Sequence, residues 1–287
     1  MEKTLLCLGF GYCAAALAAR LLPQGWAVSG TQRRPALAPP GVTLHPWPET
    51  GAEAALAPLL AQASHWLLSA PPGPAGDPLL AALPDLAARF TPRWVGYLSS
   101  TAVYGDRAGA EVDESSEPTP QSPRARARLA AENAWRATGL PVEVFRLAGI
   151  YGPGRSAFEK LRAGTARRIV KPGQIFCRIH VHDIAAALEA AITRPAPGAI
   201  YNLADDHPAP PQDVIAYAAA LLGLPAPPEE PWESAALSPM AASFYAENKR
   251  VRATKTKAAL GLTWRYPSYR EGLTAILADE EKSPSPP

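Results

Sequence analysis

Short apolar runs and Ala/Leu-rich stretches alternate along the chain. The runs have the length of buried strands, and the stretches between them have helical length. Strands are predicted at 5–8, 26–31, 42–44, 65–69, 94–98, 142–147 and 199–203, and helices after the first strand and at 52–63, 77–90, 123–138 and 211–222. This alternation predicts an α/β fold in which helices wind on both faces of a parallel sheet.

Two of the predicted helices begin with a capping residue followed by proline. Asp77 precedes Pro78 and Ser122 precedes Pro123, an order that suits the cap and the first helical turn. Near the end of the chain, 225–239 is Pro-rich and is predicted as a loop. The last residues, 280–287, are charged and then Ser/Pro-rich, which predicts a frayed tail.

A glycine-rich turn joins the first strand to the first helix, with the pattern Gly9-x-Gly11-x-x-Ala14. In a dinucleotide-binding fold, the first glycine permits a tight turn and the second lets a pyrophosphate approach the backbone. The third small residue lets the helix pack closely on the strand. The helix N-terminus, beginning near Tyr12, would present its free N–H groups to the phosphates.

Two other interpretations of this stretch stay open. One is a glycine turn that joins a strand to a helix and binds nothing. The other is a secretory signal peptide, because Lys3 precedes an apolar core and an Ala-x-Ala-like site. Arg20 and the similar units downstream argue against the signal peptide.

The end of the second predicted strand indicates which cofactor would bind. An acidic residue there binds the ribose of NAD, whereas an arginine accommodates the 2′-phosphate of NADP. No acidic residue occurs between Pro23 and Trp47, and Thr31, Arg33 and Arg34 can all donate hydrogen bonds. We therefore expect NADP rather than NAD, the alternative being a solvated charged loop.

Composition excludes several other classes of function. The 287 residues carry a net charge of +2 and no basic block, which argues against nucleic acid and membrane surfaces as partners. No apolar run is long enough for a transmembrane helix. Cys7, Cys13 and Cys177 are few and widely spaced, which predicts buried thiols in a reduced, cytoplasmic protein, and no metal site is expected.

Several short motifs resemble those of the short-chain dehydrogenase/reductase superfamily, and within it the extended, NAD-dependent epimerase/dehydratase type. Besides the glycine turn they are YLSSTAVYG (97–105), VDESSEPTPQSP (112–123), RLAGIYGPGR (146–155), RIHVHDIAAAL (178–188), YNLADDHP (201–208), KR (249–250) and LGLTWRYPSYREGL (260–273). Their order and spacing cover nearly the whole chain.

The resemblance implies a Rossmann-type, doubly wound parallel sheet with a smaller C-terminal substrate region. The cofactor-binding core would comprise 1–152 and 181–202, and the substrate region 153–180 and 203–287. The small-residue turn after the fourth strand, with Ala70 and Pro71, would lie beside the cofactor phosphates. Ser99 would also contact the cofactor, since ligands bind at the carboxyl ends of central strands.

The active site of the family combines a serine or threonine with a Tyr-x-x-x-Lys pair. By spacing, Ser100 matches the serine, while Arg124 stands at the tyrosine position and Arg128 at the lysine position. Arg124 cannot exchange a proton near neutral pH, because a guanidinium stays protonated. Arg128 would still hold a ribose hydroxyl. The two arginines share one helix face, which either borders an anionic ligand or is solvated.

The resemblance leaves other residues as candidates for the chemistry and for substrate contact. Tyr151 is the candidate for a substitute proton donor. Tyr104 and Arg178 are candidates for contacts with substrate. His180 and His182 would share one face of a strand, but no third ligand has recognisable spacing, so they are predicted as core or hinge residues.

Two functions remain compatible with the sequence. The first is an NADP-dependent oxidoreductase or epimerase-like enzyme that acts on a small, anionic molecule with a non-standard acid. The second is an NADP-binding sensor or scaffold protein without catalysis, for which the two arginines argue. By the same resemblance, the helix 123–138 would pair two copies into a homodimer, although its apolar stripe is modest.

Overall fold

The computed structural model describes residues 3–34, 37–48, 50–73 and 75–282. The strands are β1 (Thr4–Leu8), β2 (Ala27–Gln32), β3 (Val42–Pro46), β4 (His65–Leu68), β5 (Trp94–Ser100), β6 (Glu111–Val112), β7 (Val142–Leu147), β8 (Gly149–Tyr151), β9 (Arg168–Val170), β10 (Arg178–His180), β11 (Ile200–Leu203), β12 (Glu229–Pro231) and β13 (Arg250–Val251). The helices are α1 (Tyr12–Leu21), α2 (Ala52–Gln62), α3 (Pro78–Ala82), α4 (Leu86–Arg89), α5 (Pro123–Ala137), α6 (Ala157–Arg162), α7 (Val181–Thr193), α8 (Pro211–Leu221), α9 (Pro239–Tyr245), α10 (Thr254–Leu260) and α11 (Tyr269–Lys282).

A seven-stranded sheet of order β11-β7-β5-β4-β1-β2-β3 forms the centre of the molecule, and every neighbouring pair is parallel. In β1, Cys7 is in register with Gly30 of β2 on one side and with Leu67 of β4 on the other. The predicted α/β, doubly wound fold is confirmed. The strand order reverses beside β1, so ligands are expected outside the carboxyl ends of β1 and β4.

Helices cover both faces of this sheet. On one face α1 packs against α7, and the buried residues Leu17, Ala18, Ala187 and Leu188 belong to one core cluster. On the other face α2 to α5 contribute a second cluster that includes Trp66 and Trp135. A third cluster joins Tyr151 to side chains of α6, α8 and α11, in the residues that the sequence assigns to the substrate region.

The helix predicted at 77–90 is wrong as a single element. Asp77 does cap its start, accepting hydrogen bonds from the backbone N–H groups of Leu79 and Leu80. The helix then ends at Ala82 and a separate turn, α4, begins at Leu86. Pro84 lies in the break, where it cannot donate a backbone hydrogen bond and disfavours helical geometry at the residue before it.

The C-terminal part contains more regular structure than the sequence predicts. The expected loop 225–239 includes β12, which pairs with β9, and α9 begins at its end. The expected tail is helical up to Lys282, and 283–287 lie outside the described residues. The pairing of β12 with β9 could not be predicted because a three-residue strand carries no periodicity.

A buried ion pair fastens α5 to the sheet. Glu132 and Arg146 are almost fully buried, and Nη2 of the arginine lies 2.8 Å from Oε2 of the glutamate. Ser99 Oγ donates a hydrogen bond to Glu132. The guanidinium carbon of Arg146 lies 4.9 Å from the centre of the Tyr104 ring, and the Tyr104 hydroxyl donates to Asn202 Oδ1 at 2.8 Å. The network thus links α5, β5, β7 and β11.

We predict that Glu132→Ala lowers the free energy of unfolding by about 3–5 kcal/mol, because it leaves the Arg146 charge buried without a partner. Urea denaturation followed by circular dichroism measures the change. The double variant Glu132→Ala/Arg146→Met should recover most of the loss. Glu53→Ala, which removes an exposed ion pair with Arg89, is the control and should cost at most about 1 kcal/mol. A loss for Glu132→Ala no larger than this control would contradict the prediction.

Candidate functional site

One cleft of about 1440 Å³ opens at the carboxyl ends of the central strands and extends into the C-terminal part. Six residues singled out from the sequence lie in its wall: Pro71, Ser100, Arg124, Arg128, Tyr151 and Arg178. The face of α5 that carries the two arginines therefore borders the cleft and is not turned away from it. Within the described residues, no group of three or more His, Cys, Asp or Glu side chains could hold a metal.

The glycine turn follows β1, a central strand, at the end of the sheet where this cleft opens. Gly9 has φ +95°, and a Cβ on it would lie 2.7 Å from the backbone nitrogen of Ala70. Only glycine fits this position without strain, and the contact fixes the turn against the loop after β4. A Cβ on Gly11, in contrast, would meet nothing within 4 Å. Gly11 therefore faces open space, as the approach of a phosphate requires.

The N-terminus of α1 has the features of an anion site. Gly11 is its cap residue, no side chain caps it, and its first turn carries no acidic residue. Ala14 is fully buried, as expected for the small residue at the helix–strand contact. Exposed N–H groups and the helix dipole favour a negative charge at such a terminus.

Arg155 adds a positive charge at this terminus, which the sequence analysis missed. Its guanidinium carbon lies 5.7 Å from the centre of the Tyr12 ring, and it belongs to the cleft wall. Burial raises the pKa of Tyr12 to about 12, so Tyr12 stays protonated, and its hydroxyl donates to the carbonyl oxygen of Pro153 at 2.9 Å. The sequence offered one signal, an arginine at the end of Gly-Pro-Gly-Arg.

The cofactor-selecting residues at the end of β2 divide into two groups. Thr31 is fully buried, and its Oγ1 accepts a hydrogen bond of 3.0 Å from the Gly9 N–H. Its side chain therefore supports the glycine turn and does not reach the surface. Arg33 and Arg34 are exposed, and neither forms an ion pair with a carboxylate in the described ranges. They remain free to bind a phosphate.

Ser99 and Ser100 point to opposite sides of β5, because successive side chains alternate across a strand. The buried Ser99 hydroxyl is engaged with Glu132, so its side chain does not face the cleft. Ser100 Oγ does lie in the cleft wall and accepts a hydrogen bond of 3.2 Å from the Ala102 N–H. That contact orients the hydroxyl and leaves its proton available for a ligand.

The two arginines of α5 differ in how firmly they are held. Arg128 Nη1 donates to the carbonyl oxygen of Leu98 at 2.9 Å and lies 3.3 Å from the Tyr97 hydroxyl. This anchors it over the end of β5. Arg124 is exposed and makes no hydrogen bond with any residue that the structure describes. The cleft wall therefore contains one guanidinium that is anchored by hydrogen bonds and one that is not.

Tyr151 and Tyr104 have structural contacts that compete with the roles suggested for them. The Tyr151 hydroxyl donates to the carbonyl oxygen of Ser268 at 3.1 Å, and burial raises the pKa of Tyr151 well above its usual range. Tyr104 is fully buried in the Glu132 network and lies outside the cleft wall. Tyr104 therefore has no access to a ligand in the cleft, whereas Tyr151 lies in its wall but has its hydroxyl engaged and its pKa far above neutral pH.

The histidines do not share one face of a strand, as the sequence analysis expected: His180 ends β10 and is buried, whereas His182 lies in the first turn of α7 and is only partly buried. His180 is buried and caps α7, since its Nδ1 accepts a hydrogen bond of 3.2 Å from the His182 N–H. Burial, then His182 and Arg265, lower the pKa of His180 to about 3, so the ring stays neutral.

Arg178 carries the inner charge of the cleft. Its Nη1 donates to the carbonyl oxygens of Phe176 at 2.9 Å and Ala209 at 3.1 Å. Asp205 is buried and interacts electrostatically with Arg178. Neither carboxylate oxygen of Asp205 has a well-formed hydrogen bond within the described residues. Burial raises the pKa of Asp205 to about 8, against the opposing effect of Arg178. Nothing in the sequence indicates that Asp205 is buried.

The chain is similar in sequence to a known protein family and in fold to solved structures. A sequence model of the NAD dependent epimerase/dehydratase family matches residues 79–204. A structure of a functionally unknown conserved protein from Silicibacter pomeroyi is 52% identical, has a TM-score of 0.88, and covers 97% of this chain and 99% of its own.

Two further proteins are similar over most of the chain. Protein YeeZ of Escherichia coli K12 is 29% identical over 226 residues, covering 72% of this chain and 80% of YeeZ. Human epimerase family protein SDR39U1, whose structure was solved with NADPH, is 21% identical with a TM-score of 0.74 over 96% of this chain and 99% of that one. At that identity the human structure shows the fold alone.

Asp205→Asn tests the buried carboxyl. Because its pKa is raised, Asp205 stays protonated in the folded protein between about pH 4 and pH 8. In the unfolded protein the same carboxyl group has lost its proton over this range. Stability therefore falls as the pH rises through this window, and a neutral amide should remove that loss. We expect the variant to gain in Tm over the parent at about pH 8.5 and to gain little at about pH 4.5, with roughly 2–4 °C for each kcal/mol.

Differential scanning calorimetry at the two pH values measures this difference. Asp206→Asn, at a more exposed carboxylate that pairs with Lys257 at 2.5 Å, is the control and should show no gain at high pH. An equal shift for Asp205→Asn at both pH values would contradict the prediction.

Proposed function

We propose, since the chain belongs to the NAD-dependent epimerase/dehydratase family, that it binds NADP and acts as an oxidoreductase or epimerase-like enzyme on a small anionic molecule. One observation carries this proposal. A single cleft connects Ser100, at the end of β5, with residues of 153–180 and 203–287. A cofactor at the sheet edge and a substrate in that region would meet at Ser100.

The residues at the sheet edge fit a nicotinamide dinucleotide. Gly11 leaves open space at the uncapped N-terminus of α1, where a pyrophosphate would lie, and Arg155 would balance its charge. Arg33 and Arg34 would bind the 2′-phosphate of NADP. Pro71, in the cleft wall, and Ala70, against Gly9, would form the opposite side of the site. The bound cofactor would supply or accept a hydride.

Ser100 and the arginines define what this chain can contribute to a reduction. The Ser100 hydroxyl would donate a hydrogen bond to a substrate carbonyl oxygen. Arg128 and Arg124 would stabilise the negative charge that develops on that oxygen when a hydride adds to the carbonyl carbon. Neither guanidinium gives up its proton. The proton that ends on the oxygen would therefore come from water.

A second function, an NADP-binding sensor or scaffold without catalysis, is favoured by a specific observation. Arg124 and Arg128 stay protonated, and the Tyr151 hydroxyl is engaged with the Ser268 carbonyl. None of the residues proposed for proton transfer thus gives up a proton near neutral pH. A sensor would bind NADPH and NADP⁺ with different affinities or conformations and turn neither over.

The assembly and location of the protein stay predictions. α5 presents Ala130, Ala134 and Ala137 on its exposed side, and a homodimer would cover this face. We retain the cytoplasm as the expected compartment. No helix in the described ranges combines the length and apolar character that crossing a membrane requires.

Calorimetric titration with NADPH, NADP⁺, NADH and NAD⁺ tests the cofactor assignment. We expect the phosphorylated pair to bind at least tenfold more tightly, and the double variant Arg33→Ala/Arg34→Ala to lose that preference while it keeps affinity for NADH. Gly11→Ala is the control, because its methyl group meets no protein atom within 4 Å yet fills the phosphate position. It should fold with unchanged Tm and bind none of the four. Preference for NADH in the parent would contradict the NADP assignment.

Ser100→Ala distinguishes the enzyme from the sensor. With a broad set of carbonyl substrates and NADPH, the enzyme should show turnover that falls about 10²-fold in this variant, as for loss of one hydrogen-bond donor to a developing oxyanion. Cofactor affinity should stay unchanged. Arg124→Gln, measured in parallel, should lower kcat/KM for anionic substrates more than for neutral ones. No turnover by the parent, together with intact cofactor binding, would favour the sensor.

A further inference from the structure

The far half of the cleft, away from the glycine turn, has a strongly apolar wall. Its side chains include Ile169, Phe176, Ile215, Leu237, Phe244 and Leu273. They come from separate elements and loops of the C-terminal part, so the apolar character is distributed around the cleft and does not belong to one helix face. Ligand sites commonly combine such a wall with a few polar groups that fix orientation.

Phe244 of α9 is the strongest single indication that this wall binds a ligand. Its side chain is 58% exposed, and it lies in the cleft. The other large apolar side chains that the structure describes as exposed, Leu37 and Leu224, lie outside the cleft wall. Covering an exposed phenyl ring inside a concave apolar surface removes apolar area from water, which makes ligand binding more favourable.

Arg178 is a cation of this half with no carboxylate of the described part of the chain within ion-pair distance. Arg167 pairs with Glu230, with 2.9 Å between Nε and Oε2, and Lys249 pairs with Glu247 at 2.5 Å. Arg178 instead donates to two backbone carbonyls, and no carboxylate of the described residues lies within ion-pair distance. A charged group so enclosed favours an anionic ligand.

We infer that this half of the cleft binds an organic carboxylate with an apolar body, its carboxylate paired with Arg178 and its body against Phe176, Ile215 and Phe244. The inference rests on the proposed function, for which it names the substrate class, an apolar keto acid whose ketone would face Ser100. A nucleotide sugar fits less well. Its hydroxyl groups would lose water wherever they lie against the apolar side chains of this wall.

Binding of small probes to the full chain tests the inference. Phenylpyruvate and decanoate carry apolar bodies and one carboxylate, phenylacetone and decanol are their uncharged counterparts, and UDP-glucose represents a nucleotide sugar. Calorimetry should show each carboxylate bound at least tenfold more tightly than its uncharged counterpart and than UDP-glucose. The inference is overturned if neither carboxylate has that advantage or if UDP-glucose binds more tightly than both.

Variants assign the two contacts. Phe244→Ala should weaken both carboxylates several-fold, whereas Leu224→Ala, an exposed apolar residue outside the cleft, should leave them unchanged. Arg178→Gln should abolish the preference for carboxylates, and Arg178→Lys should restore part of it. Tm is measured for both, because Arg178 also holds two carbonyls. Equal preference in Arg178→Gln and the parent would overturn the assignment to Arg178.

An NADPH titration of the same samples separates this inference from the proposed function. Bound NADPH without preferred carboxylate binding would overturn the substrate class alone. Preferred carboxylate binding without any bound nicotinamide dinucleotide would sustain the site and overturn the proposed function.

Discussion

The close approach of Gly9 to the loop after β4 determines the arrangement of the whole site. The left-handed turn brings the Gly9 backbone against Ala70, while its N–H is bound by Thr31 at the end of β2. The carboxyl ends of β1, β2 and β4 are thereby joined at one point. A side chain at Gly9 would separate them, because its Cβ would lie 2.7 Å from a backbone nitrogen that cannot move independently of β4. The open end of α1 and the cleft both depend on this contact.

By the proposed alignment, Arg124 and Arg128 would stand where the family has Tyr-x-x-x-Lys, a difference that would change the chemistry more than the shape. A lysine beside a tyrosine lowers the energy of the phenolate, whereas two guanidinium groups can only donate hydrogen bonds and supply charge. With Arg155 at the end of α1 and Arg178 deep in the cleft, positive charge runs along the whole site. On the proposed function, this cleft would bind anionic ligands at the expense of proton transfer. An enzyme built on it would depend on electrostatic stabilisation of an oxyanion.

The sequence predicts the sheet well because most of its central strands, such as β1, β4 and β5, are short apolar runs, which is the signature of buried parallel strands. It predicts the chemistry less well, since the role of a side chain depends on which way it points. Ser99 and Ser100 are adjacent and alike, yet one is buried against Glu132 and the other lines the cleft. Pro84 is plain in the sequence, but the Ala/Leu-rich pattern on both sides of this proline favours one continuous helix over two short ones. Arg155 and Asp205 acquire importance only from neighbours distant in sequence.

Four hydrogen bonds link residues of 153–180 and 203–287 to α1, β8 and α7. Tyr12 of α1 donates to the carbonyl of Pro153, Tyr151 donates to that of Ser268, and Asp183 of α7 accepts from the N–H groups of Arg265 and Tyr266 at 2.8 and 3.1 Å. A carboxylate that accepts two backbone N–H groups is satisfied where it lies, unlike Asp205. Phe244 and Arg178 take no part in these bonds, so replacing them would leave the links between the two parts of the chain in place. On the proposed substrate class, such residues would set specificity.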